Sequence, residues 1–330
     1  MTPVTRGPVF VAGLERSGTS LMYALLASHP NIAMTRRTNL WTHFYDQYGD
    51  LSDRGNLDRC IDMMMRYRRL RLLTPDAGRL RNDFSTGPAT YPRLFALLEE
   101  QYAERLGKER WGDKSLNTER YADVIIDAYD GVRILHMIRD PRDRYASSKT
   151  RWQVRRGGAG AGTAEWLSSA RSALGSQQRH PGHVMVVRYE DLATDPERML
   201  RQICDFIDEP YTADMLTFDG APVFRDKGSN SSYGRRAAGT ISSDSIGRFR
   251  NVLSQYEIAF IQMVAAPEMA RLGYAPEPVR LTTPARLRFV MGDLPLESCR
   301  LVAWRGREAV RDRRGRPVPS YRLIDDRVAT

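Results

Sequence analysis

The chain has 330 residues, of which 42% are apolar. That is enough for a buried core in one large α/β domain or two smaller units. The formal net charge is +10, but thirteen arginines against seven acidic residues in positions 271–330 supply six of those charges. The rest is only mildly basic, which argues against a nucleic-acid binder. Cys60, Cys204 and Cys299 are too scattered for a metal-ligand spacing or a disulfide framework. The first apolar run follows Met1-Thr2-Pro3 so closely that no signal peptide fits before it, and no run approaches a membrane span. The expectation is a cytoplasmic chain with no membrane span.

Val9–Ala12 reads as a buried strand. It leads through Gly13-Leu14-Glu15-Arg16-Ser17-Gly18-Thr19-Ser20 into Leu21–Leu26, which suits a helix. Strand, glycine-bounded turn and helix together aim backbone N–H groups and a helix dipole at an anion. A nucleoside triphosphatase would place Lys after the last glycine. Here Thr19 follows Gly18, and the cation is Arg16.

Positions 51–106 are helical in character, with a break at Thr74–Gly78. Within them Cys60–Met65 is an apolar cluster that reads as core filler or as a flexible substrate wall. Trp111–Ser115 forms a short strand and loop, and a helix starts near Thr118. Val132–Ile138 is another strand. It ends near Arg139, because Pro141 fits the start of a helix and not a central strand. Arg139 therefore stands at a strand's C-terminal end, where open α/β sheets bind ligands, and Ser147 lies on the next helix. Arg142 and Asp143 read as a solvated helix start laced with ion pairs.

The glycine-rich run Arg155–Gly162 reads as a flexible loop, a lid or a surface connection. Val184–Val187 is a third buried strand, and Asp195-Pro196 caps a helix. Gly220–Gly247 reads as a long loop. Ser254–Glu257 is a capping box opening a helix through Leu272. Beyond Ala275 the residues leave a small β appendage and disorder both open, so that stretch is taken as an irregular basic tail. The division expected is 1–275 for an α/β domain and 276–330 for an extension.

The Arg16–Ser20 loop, with Ala27-Ser28-His29-Pro30 after it, resembles the 5'-phosphosulfate loop of sulfotransferases that use 3'-phosphoadenosine 5'-phosphosulfate (PAPS). Its form is most like that of bacterial and tyrosylprotein or carbohydrate-type members. Arg139 and Ser147 resemble the Arg and Ser that hold the 3'-phosphate in that family. Arg188-Tyr189-Glu190-Asp191-Leu192 followed by Asp195-Pro196 resembles the run supporting the nucleotide end of its sheet. Lys114, in Asp113-Lys114-Ser115, resembles the lysine that neutralises charge at the transferring group. Lys227 and Gly228 resemble, loosely, a loop over the 3'-phosphate, although Asp226 interrupts the pattern.

The resemblance runs from Val9 to Tyr274. It implies a P-loop-like doubly wound parallel sheet flanked by helices, with a helical insertion at about 51–106. It also implies PAPS as cosubstrate with no metal. The acceptor would be a hydroxyl on a small molecule, lipid or glycan. Arg16, Ser17, Gly18, Thr19, Ser20, Arg139, Ser147, Lys227 and Gly228 would bind the donor, and Arg16 and Lys114 would act on the transferring group.

The general base departs from the pattern. Many relatives carry a Glu shortly after the His-Pro pair, whereas this chain has Arg36 and Arg37 there, and arginine is no base near neutral pH. Asp113 is the first candidate and His43 the second, with Glu15 and Asp46 behind them. Arg36 and Arg37 suit recognition of an anionic acceptor. Two other readings stay open, a nucleoside-triphosphate-dependent kinase and an inactive nucleotide-binding module. A requirement for magnesium would mark the kinase.

Overall fold

The computed structural model describes residues 6–151, 157–222, 241–314, 316–319 and 322–323. Five strands form one parallel sheet: β1 (Val9–Ala12), β2 (Ile32–Arg36), β3 (Arg110–Lys114), β4 (Arg133–Ile138) and β5 (Val184–Arg188). The order is β2-β3-β1-β4-β5, with β1 paired in parallel to β3 on one side and β4 on the other. All four residues of β1 are wholly buried, as expected of a central strand covered on both faces, so it carries no polar alternation. The chain leaves β1 in one direction and later returns to the other side of it. This makes a topological switch point, and the crevice opens at the C-terminal ends of β1, β3 and β4.

After β1 comes α1 (Thr19–Ala27), then α2 (Leu40–Phe44). The insertion is α3 (Arg54–Arg66), α4 (Ala77–Ser85) and α5 (Tyr91–Arg105). Asp53, Asp76 and Thr90 cap these three helices with side-chain bonds to backbone amides, each worth about 1 kcal/mol. Cys60, Ile61 and Met64 are buried in the core on the Phe10 face of the sheet, so the methionine run is core. On the opposite face α1 packs over Val9 and Val11, with Met199, Leu200 and Ile203 closing the layer.

Further along are α6 (Ala122–Ala128), α7 (Pro141–Arg151), α8 (Gly158–Arg179), α9 (Tyr189–Thr194), α10 (Pro196–Phe206), α11 (Phe249–Val252) and α12 (Gln255–Arg271). Asp195 and Pro196 open α10, and the Ser254–Glu257 capping box opens α12, as the residues predict.

Two regions differ from expectation. Gly158 to Gly162 are the first turns of α8, not a loop. The glycines serve close approach: a Cβ on Gly160 would fall 1.9 Å from the Glu297 carbonyl oxygen. The stretch beyond 276 holds α13 (Thr283–Arg288), a π-helical turn at Phe289–Asp293 and the long α14 (Leu294–Arg314). This is helix where an irregular tail was expected. α14 lies along α8, and Phe289 and Leu301 are buried with Ala159 and Ala164. No helix among the described residues is long and apolar enough to cross a membrane.

Candidate active site

The loop between β1 and α1 sits at the switch point. Gly18 caps α1 in a left-handed conformation (φ 93°), which glycine adopts without penalty. A side chain there would press on the Tyr189 ring, 2.6 Å away. Arg16 also has positive φ, 72°, an uncommon conformation for a residue with a Cβ. Its Nε donates to Ser147 Oγ at 2.8 Å, so the two anion motifs seen 131 positions apart in the chain are joined directly. The Ser17 hydroxyl is buried without a partner among the described residues.

Arg139 is held on three sides. It donates to the Arg16 carbonyl (3.2 Å) and to the Ser245 carbonyl (2.6 Å), and its guanidinium lies 4.6 Å from the Tyr189 ring centre. Its Nε is buried and has no hydrogen-bond partner among the described residues. Together with Arg16, Gly18–Leu21, Tyr189, Ile241 and Ser242, it lines a small cavity of about 60 Å³. Lys227 and Gly228 lie outside the described residues. Arg142 and Asp143 are buried, not solvated. Arg142 pairs with Asp140 at 2.6 Å, while Asp143 accepts from the amides of Gly247 and Phe249, tying the segment after 241 to α7.

Lys114, at the end of β3, is only 4% exposed, and its ammonium has no hydrogen-bond or ion-pair partner among the described residues. Burial pulls its pKa down from 10.5 to about 8, and the charge of Arg37 adds to the fall while Asp113 and Glu15 oppose it. A buried, unpaired cation beside further cations is the arrangement an anionic ligand stabilises.

The two first candidates for the base fare differently from Lys114. Strand residues alternate faces, so Asp113 points away from Lys114, beside Phe10 and Thr35. It has no exposed surface, and its Oδ1 accepts from Thr35 (2.8 Å) and Thr38 (2.9 Å). The Thr35 hydroxyl also lies 3.0 Å from the buried Glu99. Burial raises the pKa of both carboxyls. His43 is buried with Nδ1 2.7 Å from the Arg316 carbonyl and Nε2 2.9 Å from Arg322, so both ring nitrogens are taken up by the C-terminal segment. Desolvation lowers its pKa. Asp46 lines a separate, aromatic-walled cavity of about 720 Å³ with Tyr45, Tyr48 and Tyr91.

Glu15 lies elsewhere. It is exposed in a polar cleft of about 370 Å³ lined by the first loop, by Leu116, Asn117, Glu119 and Arg120, and by α8 and α14. Its carboxylate accepts no hydrogen bond among the described residues. Its carbonyl takes a 3.2 Å bond from the buried Arg144, which also binds Glu165 at 2.6 Å. Opposite, Arg120 pairs with Glu308 and Asp312 of α14. No group of three or more His, Cys, Asp or Glu among the described residues is arranged to hold a metal. Arg144, Tyr189 and Ser245 are the supporting residues that the motifs did not expose. Only Tyr189 had a signal, as part of Arg188–Leu192.

The family described as the sulfotransferase family matches residues 8–213. A putative protein-tyrosine sulfotransferase from Caenorhabditis briggsae is 26% identical over 216 residues, 63% of this chain and 68% of that protein. Among solved structures, the sulfotransferase domain of the Synechococcus PCC 7002 olefin synthase covers 82% of this chain and 95% of its own at a TM-score of 0.58 and 22% identity. The sulfotransferase domain from the curacin biosynthetic pathway gives 82% and 99%, with a TM-score of 0.53 and 17% identity. The match of residues 8–213 spans β1 to the end of the sheet and both anion motifs, and on that ground the chain belongs to the sulfotransferase family.

Proposed function

We propose that the protein transfers a sulfuryl group from PAPS to a hydroxyl acceptor. The observation that carries this reading is the convergence of Arg16, Ser147, Arg139 and the unpaired Lys114 at the C-terminal ends of β1, β3 and β4. The fit to a nucleotide with two anionic ends rests on buried polar atoms without partners, Ser17 Oγ and Arg139 Nε. Such atoms are costly to leave unmade and suit a ligand. Arg139 and Ser147 would hold the 3'-phosphate. Arg16 and the amides of Ser17 to Ser20 would hold the 5'-phosphosulfate, with the forked guanidinium bridging two oxygens. Bound PAPS supplies an activated sulfuryl group with a phosphate leaving group.

Lys114 would meet the negative charge that grows at the transferring group. Removal of the acceptor's proton falls to Glu15, because it stands in the open cleft whereas Asp113 is enclosed and His43 is capped. The cleft's small size and polar walls favour a compact or polar acceptor end.

Purified protein incubated with sulfur-35-labelled PAPS and a panel of phenols, alcohols and sugars is expected to yield a labelled ester and 3'-phosphoadenosine 5'-phosphate (PAP) in equal amounts, without magnesium. Phosphoryl transfer from ATP that requires magnesium would replace this reading with a kinase.

A further inference from the structure

The C-terminal helices carry a second feature, on the side turned away from the cleft. Eight large apolar side chains stand exposed among the described residues, and six of them lie between Thr283 and Arg314. Leu287, Met291 and Val302 are 63%, 73% and 65% exposed. Leu287, Met291, Pro295, Cys299, Val302, Gly306 and Val310 are all exposed and follow one another in steps of four or three. Within α14 that spacing places Pro295, Cys299, Val302, Gly306 and Val310 on one face of the helix, and Leu287 and Met291 stand exposed on the turns before it. The opposite face is the one packed on α8 through Leu301 and Phe289, so this stripe has no partner among the described residues.

Its charge is one-sided. Arg286, Arg305, Arg307 and Arg313 are exposed and make no ion pair among the described residues. The acids of the same run are already engaged: Glu297 with Arg300, Asp293 with Arg288, and Glu308 and Asp312 with Arg120 and Arg316. An apolar stripe edged by free arginines on a helix lying flat is the pattern of an interfacial helix. A second copy meets an obstacle, because a two-fold contact would set this face against itself and bring arginines against arginines. The exposed stripe also lacks Trp and Tyr, the usual anchors of a protein interface.

We infer that the outer face of α13 and α14 docks on an anionic membrane surface, inserting Leu287, Met291 and Val302 among the lipids while the arginines meet acidic headgroups. The inner face of α14 lines the cleft that holds Glu15, so docking through the outer face leaves that cleft on the far side of the helix from the bilayer. The inference does not depend on the identity of the donor.

Full-length protein is sedimented with vesicles of phosphatidylcholine alone or with about one third phosphatidylserine. The expected result is binding to the acidic vesicles only, weakened at least tenfold by about 0.5 M salt. The double variant Met291→Ser, Val302→Ser removes apolar contact without changing charge, and should weaken binding by about tenfold or more while PAP affinity stays unchanged. Arg305→Gln with Arg307→Gln should weaken it as well. Three results would overturn the inference: no sedimentation with acidic vesicles, undiminished binding by the serine variant, or light scattering that shows a dimer which the serine variant turns into a monomer.

Discussion

Lys114, the cation proposed to meet the transferring group, costs stability by being buried. Its folded pKa of about 8 lies about two and a half units below the usual 10.5, equivalent to about 3 kcal/mol favouring the neutral form. Because the folded pKa is depressed, the full penalty applies below about pH 8, shrinks as pH rises toward 10.5, and is gone above it. Lys114→Met should therefore raise stability at pH 7, by up to about 3 kcal/mol, while turnover at saturating PAPS falls at least a hundredfold. Thermal unfolding at pH 7 and pH 11 checks the first part, since the gain must vanish at the higher pH. In the wild-type chain, turnover should decline as pH passes upward through about 8, and Lys114→Arg should move that limb to higher pH. Glu15→Gln is expected to remove most turnover, with PAP affinity nearly intact. Turnover retained there and lost in Asp113→Asn would return the base to Asp113. The family resemblance pointed to Lys114 and left the base open; the enclosure of Asp113 by Thr35 and Thr38 and the capping of His43 by the C-terminal segment are tertiary facts that no local motif carries.

At the scale of elements, α14 is the part that sequence periodicity concealed. Its apolar positions divide between a buried face with Phe289 and Leu301 and an exposed stripe, so no single amphipathic pattern stands out. A π-helical turn at Phe289–Asp293 shifts the phase between α13 and α14 as well. The glycine run that opens α8 misled in the opposite direction. Glycine disfavours helix intrinsically, yet at Gly160 the absence of a Cβ lets α14 approach and lets the Gly160 amide donate to Glu297 at 2.6 Å. Tertiary contact overrides propensity there. Gly160→Val is predicted to unseat α14. Limited proteolysis should then cut within 294–314, and the melting temperature should fall, with about 1–3 kcal/mol lost to overpacking. The cavity lined by Arg16 and Arg139 includes no α14 residue, so PAP binding should persist; its loss would mean that α14 supports that cavity as well. By contrast, the strands β1, β4 and β5 and the helix caps at Asp195 and Ser254 were legible, because short apolar runs and capping side chains act locally.

For the whole molecule, a five-stranded parallel sheet brings two motifs, remote in sequence, to one crevice. The hydrogen bond from Arg16 to Ser147 joins them directly. The strand order that creates it was not legible in the sequence, since no local signal in β1 or β4 says which strands will flank them; the resemblance implied a doubly wound parallel sheet and no order. β2 passed unread because Ile32–Arg36 is short and ends in the arginines that stand at the expected carboxylate position. The most direct test compares the two nucleotides that differ only at the group Arg139 and Ser147 would grip. Calorimetric titration of the full chain with PAP and with 5'-AMP should give at least about tenfold tighter binding of PAP, since each charge-assisted bond to the 3'-phosphate contributes about 1.5–3 kcal/mol. That preference should collapse in Arg139→Gln. Equal affinity for the two nucleotides in the wild-type chain would contradict the account.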